Sequence, residues 1–235
     1  MPDLRIRSAE PEWMDGDEVS EAEFAACLHD LAKVNSVTLA RPPTLRFIAQ
    51  AFARAAGRPL TLLDVGYGAG DMLRAISRYA KRRQTDIRLI GIDLNPRSLP
   101  SARAATPDSM AIDYRTGDIF ALSEDEPIDL VISSLVTHHM SDAEILCFIR
   151  WIDRRARCGW FINDLHRHPV AYHGFRALSA AMRWHPFVRH DGPLSVARSF
   201  RRADWDRLLC AAGVEGVARV AWHVPFRLCV TRWRE

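Results

Sequence analysis

Two adjacent histidines, in the run Ser133-Ser134-Leu135-Val136-Thr137-His138-His139-Met140, are the residues of this chain best suited to moving a proton. An imidazole with an ordinary pKa near ~6.5 accepts a proton at neutral pH, and a well-placed base contributes roughly 10²–10⁴-fold to a rate. Downstream, Phe161-Ile162-Asn163-Asp164-Leu165-His166-Arg167-His168 offers Asp164, a carboxylate able to orient a histidine or to bind a substrate hydroxyl. Either histidine can equally pack between a strand and a helix, and Asp164 can equally cap a loop. A second group has the makings of a ligand cradle. Leu62-Leu63-Asp64-Val65-Gly66-Tyr67-Gly68-Ala69-Gly70-Asp71 is an apolar run ending in three glycines at alternate positions, where backbone can approach a ligand closely. Asp93 ends the next apolar run, Arg88-Leu89-Ile90-Gly91-Ile92-Asp93, at the place where a ribose diol is gripped in nucleotide-binding sheets. The two segments together describe a site for a nucleotide-like ligand.

These side chains need a scaffold, and the hydrophobic pattern supplies one. From Leu60 onward short apolar runs alternate with helical periodicity, which predicts a parallel sheet covered by helices on both faces. Strands are expected at 60–65, 87–93, 111–115, 129–135 and 160–163, with a closing hairpin of 216–223 and 226–233. Helices are expected at 70–83, 96–105 and 202–212, and after the capping-box pattern Ser141-Asp142-Ala143-Glu144, with Gly159 as its stop. In such sheets ligands bind at the carboxyl ends of the strands, where Asp93, Ser134, His138, His139 and Asp164 all fall. Two helices precede the sheet. One opens at Ser20-Glu21-Ala22-Glu23 and one at Pro42-Pro43, while residues 1–19 read as a loose acidic arm.

With 235 residues, 48% of them hydrophobic, the chain suits one α/β domain with small additions. A net charge of +3 lacks the basic excess of a nucleic-acid binder, and Arg150, Arg154, Arg155 and Arg157 read as a solvated helix end. No segment has the apolar length of a membrane span, and Met1-Pro2-Asp3-Leu4-Arg5 is no signal peptide. Five scattered cysteines without a Cys-x-x-Cys pair suit a reducing compartment, so a cytoplasmic protein is expected. His166, His168, His173, His185 and His190 lack metal-ligand spacing, and no metal site is expected. With Tyr172 and nearby aromatic residues they read as the edge of an acceptor pocket.

The spacing Asp64-x-Gly66-x-Gly68-x-Gly70 departs from the dinucleotide fingerprint Gly-x-Gly-x-x-Gly. It resembles the Asp/Glu-x-Gly-x-Gly-x-Gly motif of class I S-adenosylmethionine-dependent methyltransferases. The resemblance extends from about residue 20 to the C-terminus and is closest at 62–71, 88–96, 129–142 and 160–168. It implies a Rossmann-like three-layer α/β sandwich with a seven-stranded, mostly parallel sheet and an N-terminal helical cap. Residues 1–57 would form the arm and cap, and 58–235 the catalytic domain. It also implies S-adenosylmethionine as cofactor, held by Asp64, Gly66, Gly68, Gly70, Asp93, Leu94, Asp118, Ile119 and Ser134. Asp118 would meet the adenine amino group and the Ile119 amide the ring.

The Asn/Asp-Pro-Pro-aromatic motif of methyltransferases acting on base or amide nitrogen is absent where strand four ends. The histidine pair there is instead similar to that of small-molecule methyltransferases, sugar and phenol O-methyltransferases among them. Asp191–Phe200 and Leu208–Gly213 resemble the ubiquinone-biosynthesis-like branch. Pro11–Asp15, Asn163–His168 and Asp191–Ser195 are similar to enzymes of type III polyketide synthase clusters. The resemblance therefore implies O-methylation of a small phenolic or polyketide-like acceptor. His138, His139 and Asp164 would be catalytic, and His166, His168 and Tyr172 would touch the acceptor. C- or N-methylation of a small molecule, a silent cofactor-binding domain and a homodimer remain open at this point. An NAD-dependent oxidoreductase is disfavoured by the glycine spacing and by the lack of Tyr-x-x-x-Lys, since Lys33 and Lys81 are the only lysines.

Overall fold

A computed structural model describes residues 2–16 and 19–234, so that Met1, Asp17, Glu18 and Glu235 lie outside the described residues. Its centre is a seven-stranded sheet of β1 (Leu60–Val65), β2 (Ile87–Asp93), β3 (Ile112–Thr116), β4 (Leu130–Ser134), β5 (Gly159–Leu165), β6 (Ala218–His223) and β7 (Arg227–Trp233). The spatial order is β3-β2-β1-β4-β5-β7-β6. Strands β1 to β5 pair in parallel, and β7 runs antiparallel to β5 and β6. This is the Rossmann-like, mostly parallel sandwich expected.

The helices are α1 (Glu21–Val37), α2 (Arg41–Ala55), α3 (Asp71–Arg83), α4 (Ser98–Ala104), α5 (Asp142–Arg155), α6 (Pro169–Ala181), α7 (Pro186–Arg198) and α8 (Arg202–Ala212). Two-residue alternation sends β1 side chains to opposite faces. Leu60 and Leu62 join Phe47, Ile48, Leu73 and Ile76 from α2 and α3 in one core. Leu63 and Val65 join Ile145, Phe148, Trp205 and Leu208 from α5 and α8 in the other. Ser141 caps α5, accepting the Glu144 N–H while Glu144 reaches back, and the stripe Ile145, Phe148, Ile149, Ile152 is buried. Each such side chain contributes about 1.5–3 kcal/mol.

A third, smaller core of Cys27, Val34, Trp184 and Val188 joins α1 to the α6–α7 pair above the sheet edge. Thus α1 packs on the α6–α7 pair, whereas α2 joins β1 and α3 in a core of the sandwich itself. Gly159 does not stop α5. The helix ends at Arg155, and Gly159 opens β5, where a Cβ would collide with the Arg232 carbonyl oxygen. Arg155, expected in solvent, is buried and bonds to Glu124 and to the carbonyls of Ser123 and Glu126.

The acidic arm is docked where a loose one was expected. Arg7 donates to Asp142, the Met140 carbonyl and the Arg198 carbonyl. The Trp13 and Met14 N–H groups each donate to the buried Asp191 carboxylate at 2.9 Å, and the Trp13 ring stacks on His190. Nothing in the arm's own pattern encodes this, because its partners lie on α7 and after β4. Register then gathers the carboxyl ends of four strands: Val65 lies beside Ile92 and Ser133, Ser134 beside Asn163, and Leu165 beside Arg227 on β7.

Candidate active site

The sheet edge opens into a cavity of about 600 Å³. One end is the glycine loop. Gly66 turns the chain out of β1 with φ +75°, and a Cβ there would overlap the Val136 side chain, so glycine is required for both reasons. The Gly68 N–H donates to Asp93 Oδ2 at 2.8 Å and the Asn95 N–H to Oδ1 at 2.9 Å, which ties the first two strand ends together. Burial raises the Asp93 carboxyl above its ordinary value, with these two N–H groups opposing. Gly70 follows at φ +71°, its backbone against Tyr114.

Asp64 is 2% exposed, lines the cavity and has no hydrogen-bond or ion-pair partner among the described residues. Burial first, then repulsion from Asp71 and Asp93, raises its carboxyl well above the usual range. A carboxylate kept this way is a socket for a cationic ligand group. Asp71, at the start of α3, pairs with Arg41 at 3.0 Å and does not cap the helix. Leu94 and Ser134 also line the cavity. Asp118 and Ile119 do not: Asp118 accepts the Phe120 N–H in an exposed turn, and Ile119 is packed in the core.

At the ends of β4 and β5 the two histidines and Asp164 come together. Asp164 is fully buried and accepts from Thr137 Oγ1 at 2.5 Å, the His138 N–H at 3.0 Å and the Leu165 N–H at 2.7 Å, and its Oδ1 lies 2.8 Å from His138 Nδ1. Burial alone would raise its carboxyl, but the charge and hydrogen bonds of His138 and Thr137 hold it down at about 2. An ionised carboxylate only accepts, so His138 donates to it through Nδ1 and turns Nε2 the other way. Both histidines line the cavity.

The docked arm adds two acids. Glu12, 4% exposed, stands 3.7 Å from His138 Nε2 and 3.9 Å from His139 Nε2, and accepts from Ser195 Oγ at 2.9 Å. Asp15 Oδ2 lies 2.9 Å from His139 Nδ1. Burial alone would lower the His139 pKa, but the Asp15 bond and the charges of Glu12 and Asp15 raise it above its ordinary value. The two histidines are thereby set apart, His138 bound through Nδ1 to Asp164 and His139 biased toward the cation. Glu12, His138 and His139 also bring three potential ligand atoms within 4.8 Å of one another, a spacing that can close on a cation.

An apolar wall is formed by Phe24, Leu28 and Leu31 from α1 and Ala171, Gly174, Phe175 and Leu178 from α6. That i, i+3, i+4, i+7 face excludes Tyr172, which lies on α6 but does not line the cavity. His166 and His168 do not line it either. His168 caps α6, accepting the Val170 N–H, and His166 Nδ1 is buried without a partner. Sequence reasoning missed Glu12, Asp15 and Arg227, the last buried in the cavity wall at the start of β7. A single arginine opening the apolar run Leu228-Cys229-Val230 was the available signal for it.

Residues 62–159 match the family described as "Methyltransferase domain". No curated protein matches the chain in sequence. Among solved structures, magnesium protoporphyrin IX methyltransferase from Synechocystis PCC 6803 with bound SAH is 16% identical at a TM-score of 0.54, over 94% of this chain and 91% of that one. Human N-acetylserotonin methyltransferase in complex with SAM is 16% identical at a TM-score of 0.61, over 92% of this chain and 56% of that one. The plantazolicin methyltransferase BpumL, in complex with a pentazolic desmethylPZN analog and SAH, is 14% identical at a TM-score of 0.56, over 94% of this chain and 88% of that one. At these identities the likeness is one of fold, and the matched residues run from the glycine loop through the histidine pair to the start of β5. Residues 62–159 thus match a methyltransferase domain, in a chain whose fold is that of solved methyltransferases crystallised with SAM or SAH.

Proposed function

We propose that the protein methylates a hydroxyl oxygen of a small, largely apolar acceptor of phenolic or polyketide-like type, with His138 as the base. The observation that carries this reading is the His138–Asp164 pair at 2.8 Å, in a histidine that lines the cavity. S-Adenosylmethionine, when bound, supplies a methyl group on a sulfonium centre. Asp64 would hold its ammonium group, which explains a buried carboxylate left without a protein partner. The loop at Gly66 and Gly68 gives a ligand close access to backbone, and Asp93 would take the ribose hydroxyls in place of one of its N–H partners. The fold shared with methyltransferases solved with SAM or SAH supports a cofactor of that kind.

The acceptor lies against α1, α6 and the β6–β7 turn, where Phe24, Phe175 and Phe226 favour a flat apolar molecule. His138 Nε2 removes the hydroxyl proton as the oxygen attacks the methyl carbon, and ionised Asp164 stabilises the imidazolium that results. Glu12 excludes water behind the pair and adds negative charge beside the cation. Calorimetry with S-adenosylhomocysteine tests the cofactor half, and absence of binding overturns it. Separate His138→Gln and His139→Gln variants test the base. Turnover is expected to fall about 10²-fold or more in the first and less in the second. Undiminished turnover in His138→Gln would refute the role of His138.

A further inference from the structure

The cavity wall holds a positive charge that the methyl-transfer reading leaves unused. Arg227 is 1% exposed and lines the cavity beside Leu165 and Phe226. Its Nη2 donates to Thr38 Oγ1 at 3.1 Å, while Nε and Nη1 have no acceptor. Among the described residues no carboxylate comes within ion-pair distance of it. Asp164, next to Leu165 on the neighbouring strand, is already taken up by His138, Thr137 and the Leu165 N–H. Burial lowers the guanidinium pKa to about 10, which still leaves it cationic at neutral pH. A buried charge with unfilled donors is costly, and such charges are normally paired. The counter-ion must come from what fills the cavity.

Sheet order says which ligand brings it. The glycine loop and Asp93 stand at β1 and β2, and the cavity-lining cation on that side, Arg41, pairs with Asp71. Arg227 lies beyond β4 and β5, on the acceptor side of His138. A single guanidinium among Leu135, Leu165, Val170 and Phe226, with the Asp164 carboxylate close behind, suits one negative charge and would leave a doubly charged phosphate under-compensated. We propose that the acceptor is an amphiphilic acid, an apolar body carrying a carboxylate that pairs with Arg227 while a neighbouring hydroxyl reaches His138. The proposal rests on the O-methylation reading for that hydroxyl, and on Arg227 alone for the carboxylate.

The test is calorimetry on the full chain saturated with S-adenosylhomocysteine, titrated with 3-hydroxy-2-naphthoate, its methyl ester and 2-naphthol. The acid is expected to bind about 10- to 100-fold more tightly than either uncharged probe. Arg227→Gln removes that preference and leaves S-adenosylhomocysteine affinity as it was, and Arg227→Lys retains part of the preference. Equal binding of acid and ester by the unaltered protein, or no binding of the acid, overturns the proposal. So does a preference that survives Arg227→Gln, or a loss of S-adenosylhomocysteine affinity in that variant, which would give the arginine to the cofactor. Should Arg227→Gln fail to fold, the probe series on the unaltered protein and on Arg227→Lys decides. Failure of the cofactor itself to bind would instead strike the methyltransferase reading.

Discussion

Asp164→Asn is the most discriminating single change, because the carboxylate it removes is both a structural acceptor and the partner of the base. Its two oxygens face four donors: Thr137 Oγ1, the His138 N–H, His138 Nδ1 and the Leu165 N–H. An amide has one acceptor oxygen. If its NH₂ replaces Oδ1 it donates to Nδ1, drives the His138 proton onto Nε2 and leaves no lone pair for the acceptor hydroxyl. If it replaces Oδ2 it confronts the His138 N–H, which then stays buried and unpaired, and the imidazolium loses its counter-charge. Either orientation is expected to lower turnover about 10²–10⁴-fold.

Stability carries an independent signature. The native carboxyl lies at about 2 against an ordinary 3.8, which amounts to about 2 kcal/mol of stabilisation at neutral pH. The pKa is depressed in the folded state. The contribution is therefore present above pH 3.8, about half lost near pH 3, and gone below about 2. Urea unfolding of both proteins at pH 7 and pH 3.5 reads this directly, since the difference between them must shrink as pH falls. A difference constant with pH, or turnover within twofold of the unaltered protein, would refute the coupling of Asp164 to His138.

Asp64→Asn removes a carboxyl whose ionisation burial and neighbouring acids oppose, so apo thermal stability at neutral pH should rise while S-adenosylhomocysteine affinity falls about tenfold or more, read by thermal unfolding and calorimetry. A variant that binds as before would remove the ammonium socket. Asp15→Asn should lower the His139 pKa, because its hydrogen bond and charge are among the causes that raise it; an unchanged imidazole titration by NMR would sink that account. The His139 contribution to stability is full below pH 6.5 and fades as pH rises through the raised value, so the variant should lose stability mainly on the acid side. Zinc ion should inhibit turnover by closing on Glu12, His138 and His139 and occupying Nε2, and chelator should reverse it. Turnover abolished by chelator alone would contradict a metal-free base.

The sheet, its helices and the glycine loop were legible because each is encoded locally, by period, caps and turn residues within a few positions of one another. Asp93 and Asp164 were legible because strand ends in such sheets face one edge. The arm was not. Glu12 and Asp15 act on His138 and His139 across the whole domain, and their docking depends on Asp191 in α7, a pairing without local pattern. Tyr172 failed to reach the cavity for the opposite reason. Its composition suited a pocket, but the phase of α6, set by Ala171, Gly174, Phe175 and Leu178, turns it aside.

The site thereby sorts its charges by the kind of support each receives. Asp164 is held ionised by four donors and can serve His138 without changing state, whereas Asp64 is offered none and waits for a cation. Arg227 stands as the mirror case, a cation without an anion at the other end of the same cavity. A protein core that pairs Arg167 with Asp204, the Leu4 carbonyl and the Ser199 carbonyl has no general difficulty in satisfying a buried guanidinium. Among the described residues, the buried charges left without a partner are Asp64 and Arg227, both in the cavity wall, one sign near the glycine loop and the other beyond the histidines. That polarity orients a zwitterionic cofactor and an acidic acceptor toward His138 from opposite sides, which is the arrangement an in-line transfer requires.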